Sequence, residues 1–246
     1  MHPNIQIFPN INELSCAAAD IFIESANRAI NANDCFTVAL AGGSTPKFLY
    51  KLLASAEYKA KVDWTKTFFF WGDERCVPID SDESNFKMAS ENLLLPAAVP
   101  ANNIRRFNTE LEPDRAAVIY ETTLETFFQL KSGELPRFDL ILLGMGADGH
   151  TASIFPHTAA VGETSKLAIA NFVPKFDAFR LTLTPPVINN AAQVVFLISG
   201  ADKADALNEV INGARQPELF PSQLIQPANG ELSFLVDAGA AAKLQK

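Results

Sequence analysis

Residues 138–156, FDLILLGMGADGHTASIFP, constrain the fold of this chain more than any other stretch. Asp139-Leu140-Ile141-Leu142-Leu143 is a short apolar run without helical period, bounded by Pro136 and by glycines. It therefore predicts a strand buried on both faces, as in a parallel sheet covered by helices. The run then breaks into Gly144-Met145-Gly146-Ala147-Asp148-Gly149-His150. The closely spaced glycines let the backbone turn sharply and come close to a ligand. Asp148 and His150 thus stand, as an acceptor and a base, at a strand's carboxyl end, where open α/β sheets place their ligands.

Gly144, Gly146 and Gly149 also match the spacing G-x-G-x-x-G of dinucleotide-binding turns. That fingerprint requires a long following helix and an acidic residue about 20 positions on. Pro156 interrupts the following segment, and the region around Ala170 has no carboxylate. A purely structural role, with Asp148 capping a helix and His150 hydrogen-bonded in packing, is the alternative to a catalytic one. A histidine in a glycine-rich loop at a strand's end, beside a carboxylate, favours function.

The same arrangement recurs along the chain. Residues 36–41 form an apolar strand that ends in Gly42-Gly43-Ser44-Thr45-Pro46 and feeds a helix over 47–54. Thr45 is placed as N-cap and Pro46 as the first helical residue. Such a terminus suits a phosphate, although a plain strand-to-helix connection would use the same residues. Strand 67–71 delivers Gly72-Asp73-Glu74-Arg75-Cys76. Glu74 and Arg75 are either a surface ion pair or contributors to the cleft that holds His150. Strand 179–184 carries Arg180, and strand 193–199 ends in Gly200 with Lys203 in the first turn of the next helix. A lysine at that positive end implies an anion nearby, whereas solvated surface charge is the alternative for both cations.

Further strands are expected at 104–107, 167–173 and 232–236. Helices are expected from 13 to about 30 with Asn12 as cap, from 84 to 94, from 113 to about 131, from 185 to about 192, and over 238–244. The alternation predicts one α/β domain over 1–246: a largely parallel, doubly wound sheet, helices on both faces, and a cleft along one edge.

Composition narrows the partners. A net charge of −8 disfavours nucleic acid and anionic membrane surfaces. No signal peptide or membrane-length apolar run is read, so a cytoplasmic location is expected. Cys16, Cys35 and Cys76 have no metal-ligand spacing, and free thiols without a metal site are expected.

Gly42-Gly43-Ser44-Thr45-Pro46, Trp71-Gly72-Asp73-Glu74-Arg75, the stretch from Gly144 through Gly149-His150-Thr151-Ala152-Ser153, and Arg180-Leu181-Thr182-Leu183-Thr184-Pro185 occur in this order. Together they resemble the 6-phosphogluconolactonase family, over nearly the whole chain. The resemblance implies hydrolysis of 6-phosphogluconolactone in the pentose phosphate pathway, with no metal or organic cofactor. It also implies a fold shared with glucosamine-6-phosphate deaminase and related to ribose-5-phosphate isomerase and CoA-transferases. His150 would be the proton-transfer group, and Ser44, Thr45, Arg180 and Lys203 match phosphate-binding elements. One departure is His157, where the family more often has glycine.

A lactone is an activated ester, so water deprotonated by a histidine suffices to open it. Asp148 would orient His150 or hold a sugar hydroxyl, and Arg75 would stabilise charge on the carbonyl oxygen. Gly43, Ser44, Thr45, Arg180 and Lys203 would hold the phosphate of a small sugar-phosphate lactone. A glucosamine-6-phosphate deaminase would need a further carboxylate soon after His150, and Ser153-Ile154-Phe155-Pro156-His157 contains none. A sugar-phosphate sensor would need neither His150, Asp148 nor Arg75. The sequence leaves the oligomeric state open between monomer and dimer.

Overall fold

In the computed structural model, which describes residues 4–244, strand β1 (Asn4–Phe8) leads into helix α1 (Ile11–Asn33) and strand β2 (Phe36–Leu40). Helices α2 (Ser44–Leu53) and α3 (Ala56–Lys59) precede β3 (Thr67–Trp71) and β4 (Asp73–Arg75). Next come α4 (Asn85–Ala89), which continues as a π-helical turn, α5 (Pro113–Phe128) and β5 (Leu140–Leu143). The last elements are β6 (Ala168–Val173), β7 (Ala178–Leu183), α6 (Pro185–Asn189), β8 (Gln193–Ile198), α7 (Ala204–Asn212) and β9 (Glu231–Asp237).

Six strands form a wholly parallel sheet in the order β1-β9-β8-β5-β2-β3, flanked by helices. Every residue of β2, β5 and β8 is buried, which is why these segments read as apolar runs, broken only by the buried Thr37 in β2 and Gln193 at the start of β8. The chain leaves this sheet at Gly72, whose N–H donates to Leu40 O at 2.9 Å while its carbonyl accepts from Leu183 N at 2.8 Å. There it enters a second, antiparallel sheet of order β4-β7-β6. Among the described residues no helix is long and apolar enough to cross a membrane.

Several local expectations are corrected. Asn10, not Asn12, caps α1, accepting from Asn12 N at 2.9 Å and Glu13 N at 3.1 Å. Residues 104–107 form only an isolated bridge from Ile104 to Phe69, because Phe107 turns inward to stack on Tyr120 at 3.6 Å. Helix α5 stops at Phe128, ended by Gln129 in the left-handed region with φ 54°. Helix α6 ends at Asn189, and the carboxyl-terminal helix shrinks to a 3-10 turn, Ala240–Lys243. His157 has φ 58°, a backbone conformation that suits glycine.

Two tyrosines fasten the strands that carry the cleft. The Tyr50 hydroxyl, from α2, donates to Ala41 O at 2.7 Å and accepts from Ala41 N at 3.1 Å, just past β2. Tyr120, from α5, does the same at Trp71, with 3.0 Å to its carbonyl and 2.9 Å to its N–H. Burial pushes both phenols upward in pKa, so each remains a hydroxyl able to donate. Tyr120→Phe strands two buried backbone groups and is expected to cost about 1–3 kcal/mol. The measurement is urea unfolding: a lower midpoint at unchanged slope is expected, and an unchanged midpoint would deny the clamp.

Candidate active site

From β2 the chain moves outward to β3 and then returns to place β5 on the other side of β2. The connections therefore diverge between β2 and β5, which is where an open α/β sheet opens a crevice at its carboxyl ends. A cleft of about 280 Å³ lies there. Gly42 and Gly43 reach it from β2, Gly72, Asp73 and Arg75 from β3 and β4, and Gly144, Gly146 and His150 from β5. Arg180 on β7 and Lys203 after β8 complete its polar wall.

The loop after β5 closes on itself. Gly146 N donates to His150 O at 2.9 Å, Gly149 N donates to Gly146 O at 3.0 Å, and Gly149 takes φ 75°. This fold sets Asp148 Oδ1 against His150 Nδ1 in a short hydrogen bond. Asp148 therefore orients a histidine rather than capping a helix, and it stands behind the cleft wall, outside the residues that line it. Its other oxygen, Oδ2, accepts from Lys175 Nζ at 2.9 Å. Burial would raise the Asp148 carboxyl, but the hydrogen bond and charge of His150, then Lys175, hold it well below the usual carboxylate range. The imidazole stacks on Phe155 with 3.9 Å between centroids. With Nδ1 committed to Asp148, Nε2 is the nitrogen left for a reacting group.

Gly146 is the cost-free space for this contact. A Cβ there would lie 2.1 Å from His150 Nδ1 and 2.6 Å from Asp148 Oδ1.

The cations are placed by the second sheet. Arg75 and Arg180 are direct partners in the antiparallel β4–β7 ladder. Among the described residues neither forms an ion pair with a carboxylate. Arg75 donates to the Glu83 carbonyl, and the Arg180 guanidinium lies 5.2 Å from the Phe176 ring centroid. Burial, and then the charge of Arg75, lowers the pKa of Arg180. Two guanidiniums without a direct ion-pair partner on the wall of one cleft, which Asp73 also lines, suit it to an anion.

Other sequence-predicted residues are placed differently. Gly43, with φ 101°, is the N-cap of α2, so Ser44 and Thr45 occupy its first turn instead of Thr45 capping it. Gly43 lines the cleft, while Ser44 and Thr45 do not. Their side chains are not brought to the other site residues, and what that turn offers is the unpaired N–H groups of a helix start. Lys203 lies, as expected, in the first helical turn after Gly200, a 3-10 turn over Ala201–Lys203 that runs directly into α7, and its ammonium is already paired with Asp202 at 2.9 Å. Glu74 is neither a surface ion-pair partner nor a cleft residue. It is buried and accepts from Arg75 N at 2.8 Å, Asn85 N at 2.8 Å and Phe86 N at 2.7 Å.

Sequence reasoning passed over Asn85, Phe176 and the carboxylate of Asp73. Asp73 is buried, accepts from Ser153 Oγ at 2.7 Å, and holds Asn85 Nδ2 on its carbonyl at 2.9 Å. Asn85 in turn fills the space that any side chain at Gly42 would need, 1.9 Å from a Cβ built there. The invisible signal is tertiary: Asn85 opens an ordinary helix, and only the folded chain sets it against Gly42. Burial pushes the Cys76 thiol up to about 11, against the opposing charge of Arg180. Among the described residues no group of three or more His, Cys, Asp or Glu is placed to share a metal ion.

Gly146→Ala is expected to break the Asp148–His150 contact without unfolding the chain. Proton NMR tests this: the downfield signal of a carboxylate-bound imidazole N–H should be present in the parent and lost in the variant. Its persistence in a folded variant would mean that Gly146 is not what lets the two side chains meet.

The family model for glucosamine-6-phosphate isomerases/6-phosphogluconolactonase matches residues 9–234. A 6-phosphogluconolactonase of Synechocystis is 41% identical, with 100% of each chain covered. The 6-phosphogluconolactonase of Nostoc is 40% identical, with 99% of each covered. The solved 6-phosphogluconolactonase of Trypanosoma brucei superposes with a TM-score of 0.85 at 32% identity, covering 99% of each chain. The crevice at the β2–β5 divergence, the histidine loop and these likenesses together place this chain in the glucosamine-6-phosphate isomerase/6-phosphogluconolactonase family.

Proposed function

We propose that this chain hydrolyses 6-phosphogluconolactone to 6-phosphogluconate, in the oxidative branch of the pentose phosphate pathway, by general-base activation of water. The observation that carries the reading is a carboxylate-held histidine with Nε2 free, beside two guanidiniums that lack a counter-ion. Relatives covering the whole chain and called 6-phosphogluconolactonase support the substrate.

His150 Nε2 takes a proton from water as its oxygen attacks the lactone carbonyl. Asp148 holds the imidazole by Nδ1 and stabilises the imidazolium so formed. Arg75 faces the negative charge that develops on the carbonyl oxygen. Collapse breaks the bond to the ring oxygen, which leaves as a hydroxyl after taking the proton back from His150. Arg180, the N–H groups of Gly43, Ser44 and Thr45, and Lys203 hold the phosphate. A covalent route through Cys76 is disfavoured because its thiol, raised to about 11, stays protonated near neutral pH. The chain is read as a cytoplasmic domain, monomeric or dimeric, that acts on a small sugar phosphate and not on nucleic acid or membrane.

His150→Asn keeps a polar group and removes the base, so kcat should fall about a hundred- to ten-thousandfold. In the parent, kcat should decline toward acid pH as the base is protonated. Asp148, held below the usual carboxylate range, stays ionised across that decline and is not its source. Measuring kcat against pH for both proteins, with spontaneous hydrolysis subtracted, decides: near-parental turnover in the variant removes His150 from the mechanism. Arg180→Ala removes a charge-assisted contact of about 1.5–3 kcal/mol and should raise KM about ten- to a hundredfold. Calorimetry with 6-phosphogluconate checks it, since parental affinity would take Arg180 out of the site.

A further inference from the structure

The tip of the β6–β7 hairpin folds over the cleft. Pro174–Phe176 form a 3-10 turn, closed by Asp177 N donating to Pro174 O at 3.2 Å. From this turn Lys175 Nζ reaches Asp148 Oδ2 at 2.9 Å, on the opposite side of the carboxylate from His150. The neighbouring Phe176 ring packs edge-on against Phe155 at 5.6 Å and 83°, and Phe155 is the ring stacked on the imidazole. The Arg180 guanidinium lies over the same Phe176 ring, 5.2 Å from its centroid. One short turn therefore touches both the carboxylate that holds His150 and the ring that supports it.

We propose that Lys175 is a positioning residue for the proton-transfer pair: its ammonium fixes Asp148 and limits how strongly that carboxylate favours the imidazolium. The inference rests on His150 acting as the base. A carboxylate alone behind an imidazole favours the protonated ring. A cation on its second oxygen opposes that, and the base is then available at lower pH. The other charged groups that face the cleft are Asp73 and Arg75 on β4, Arg180 on β7 and Lys203 at the start of α7. Lys175 is distinguished from them by its direct hydrogen bond to Asp148. Its side chain is 60% exposed, so the effect is screened and modest.

The test is kcat against pH, at saturating lactone, for the parent, Lys175→Met and Lys175→Arg. Lys175→Met should move the acid limb to higher pH, by up to about half a unit. Lys175→Arg should keep the parental limb, and KM should stay within about twofold in both. An unmoved limb in Lys175→Met, even with lower kcat, would overturn the inference and leave His150 as the base. A parent without an acid limb would instead remove the base itself, and the inference with it.

Discussion

The hydrogen bond between Asp148 and His150 is the contact on which the rest of the site depends. It fixes one imidazole nitrogen and thereby decides which one is left to work. The contact exists because the loop after β5 has no side chain at Gly146 and a left-handed turn at Gly149. Around it, Phe155 supports the ring and Lys175 takes the remaining carboxylate oxygen. An imidazole in this setting is positioned before any ligand arrives, so binding need not supply its ordering.

The second sheet supplies the opposite requirement, an unsatisfied charge. Like charges directly opposite on a ladder are destabilising, and Arg75 and Arg180 are such a pair. The surrounding fold supports the pair: β4 is anchored through Glu74 to the start of α4 and through Asp73 to Ser153. The parallel sheet and the antiparallel sheet thus divide the labour. The first brings the glycine turns together at the β2–β5 divergence, and the second presents the cations across from them.

Much of this was legible before folding, for reasons that differ between residues. Strands β2, β3, β5 and β8 are largely apolar runs because both faces are covered, and the polar residues after them mark the carboxyl ends. Strand β1 was missed: it is an edge strand whose partner, β9, lies at the far end of the chain, and its polar-apolar alternation runs for only four residues, Asn4 to Ile7. The antiparallel pairing of β4 was missed as well, since a three-residue strand after a glycine reads as a loop. His150, Arg75, Arg180, Lys203 and Gly43 do converge on one cleft, whereas Ser44 and Thr45 contribute at most their backbone. Asn85, Asp73 and Phe176 enter through tertiary contacts that no local spacing encodes.

The central claim is that one cleft holds the phosphate at the cations and the lactone carbon at His150. A crystal structure of the chain with 6-phosphogluconate tests it most directly. The phosphate should lie within hydrogen-bond reach of Arg180 and the Gly43 turn, with the product carboxylate beside His150 Nε2 and Arg75. A product bound with its carboxylate away from His150, or bound outside this cleft, would contradict the account.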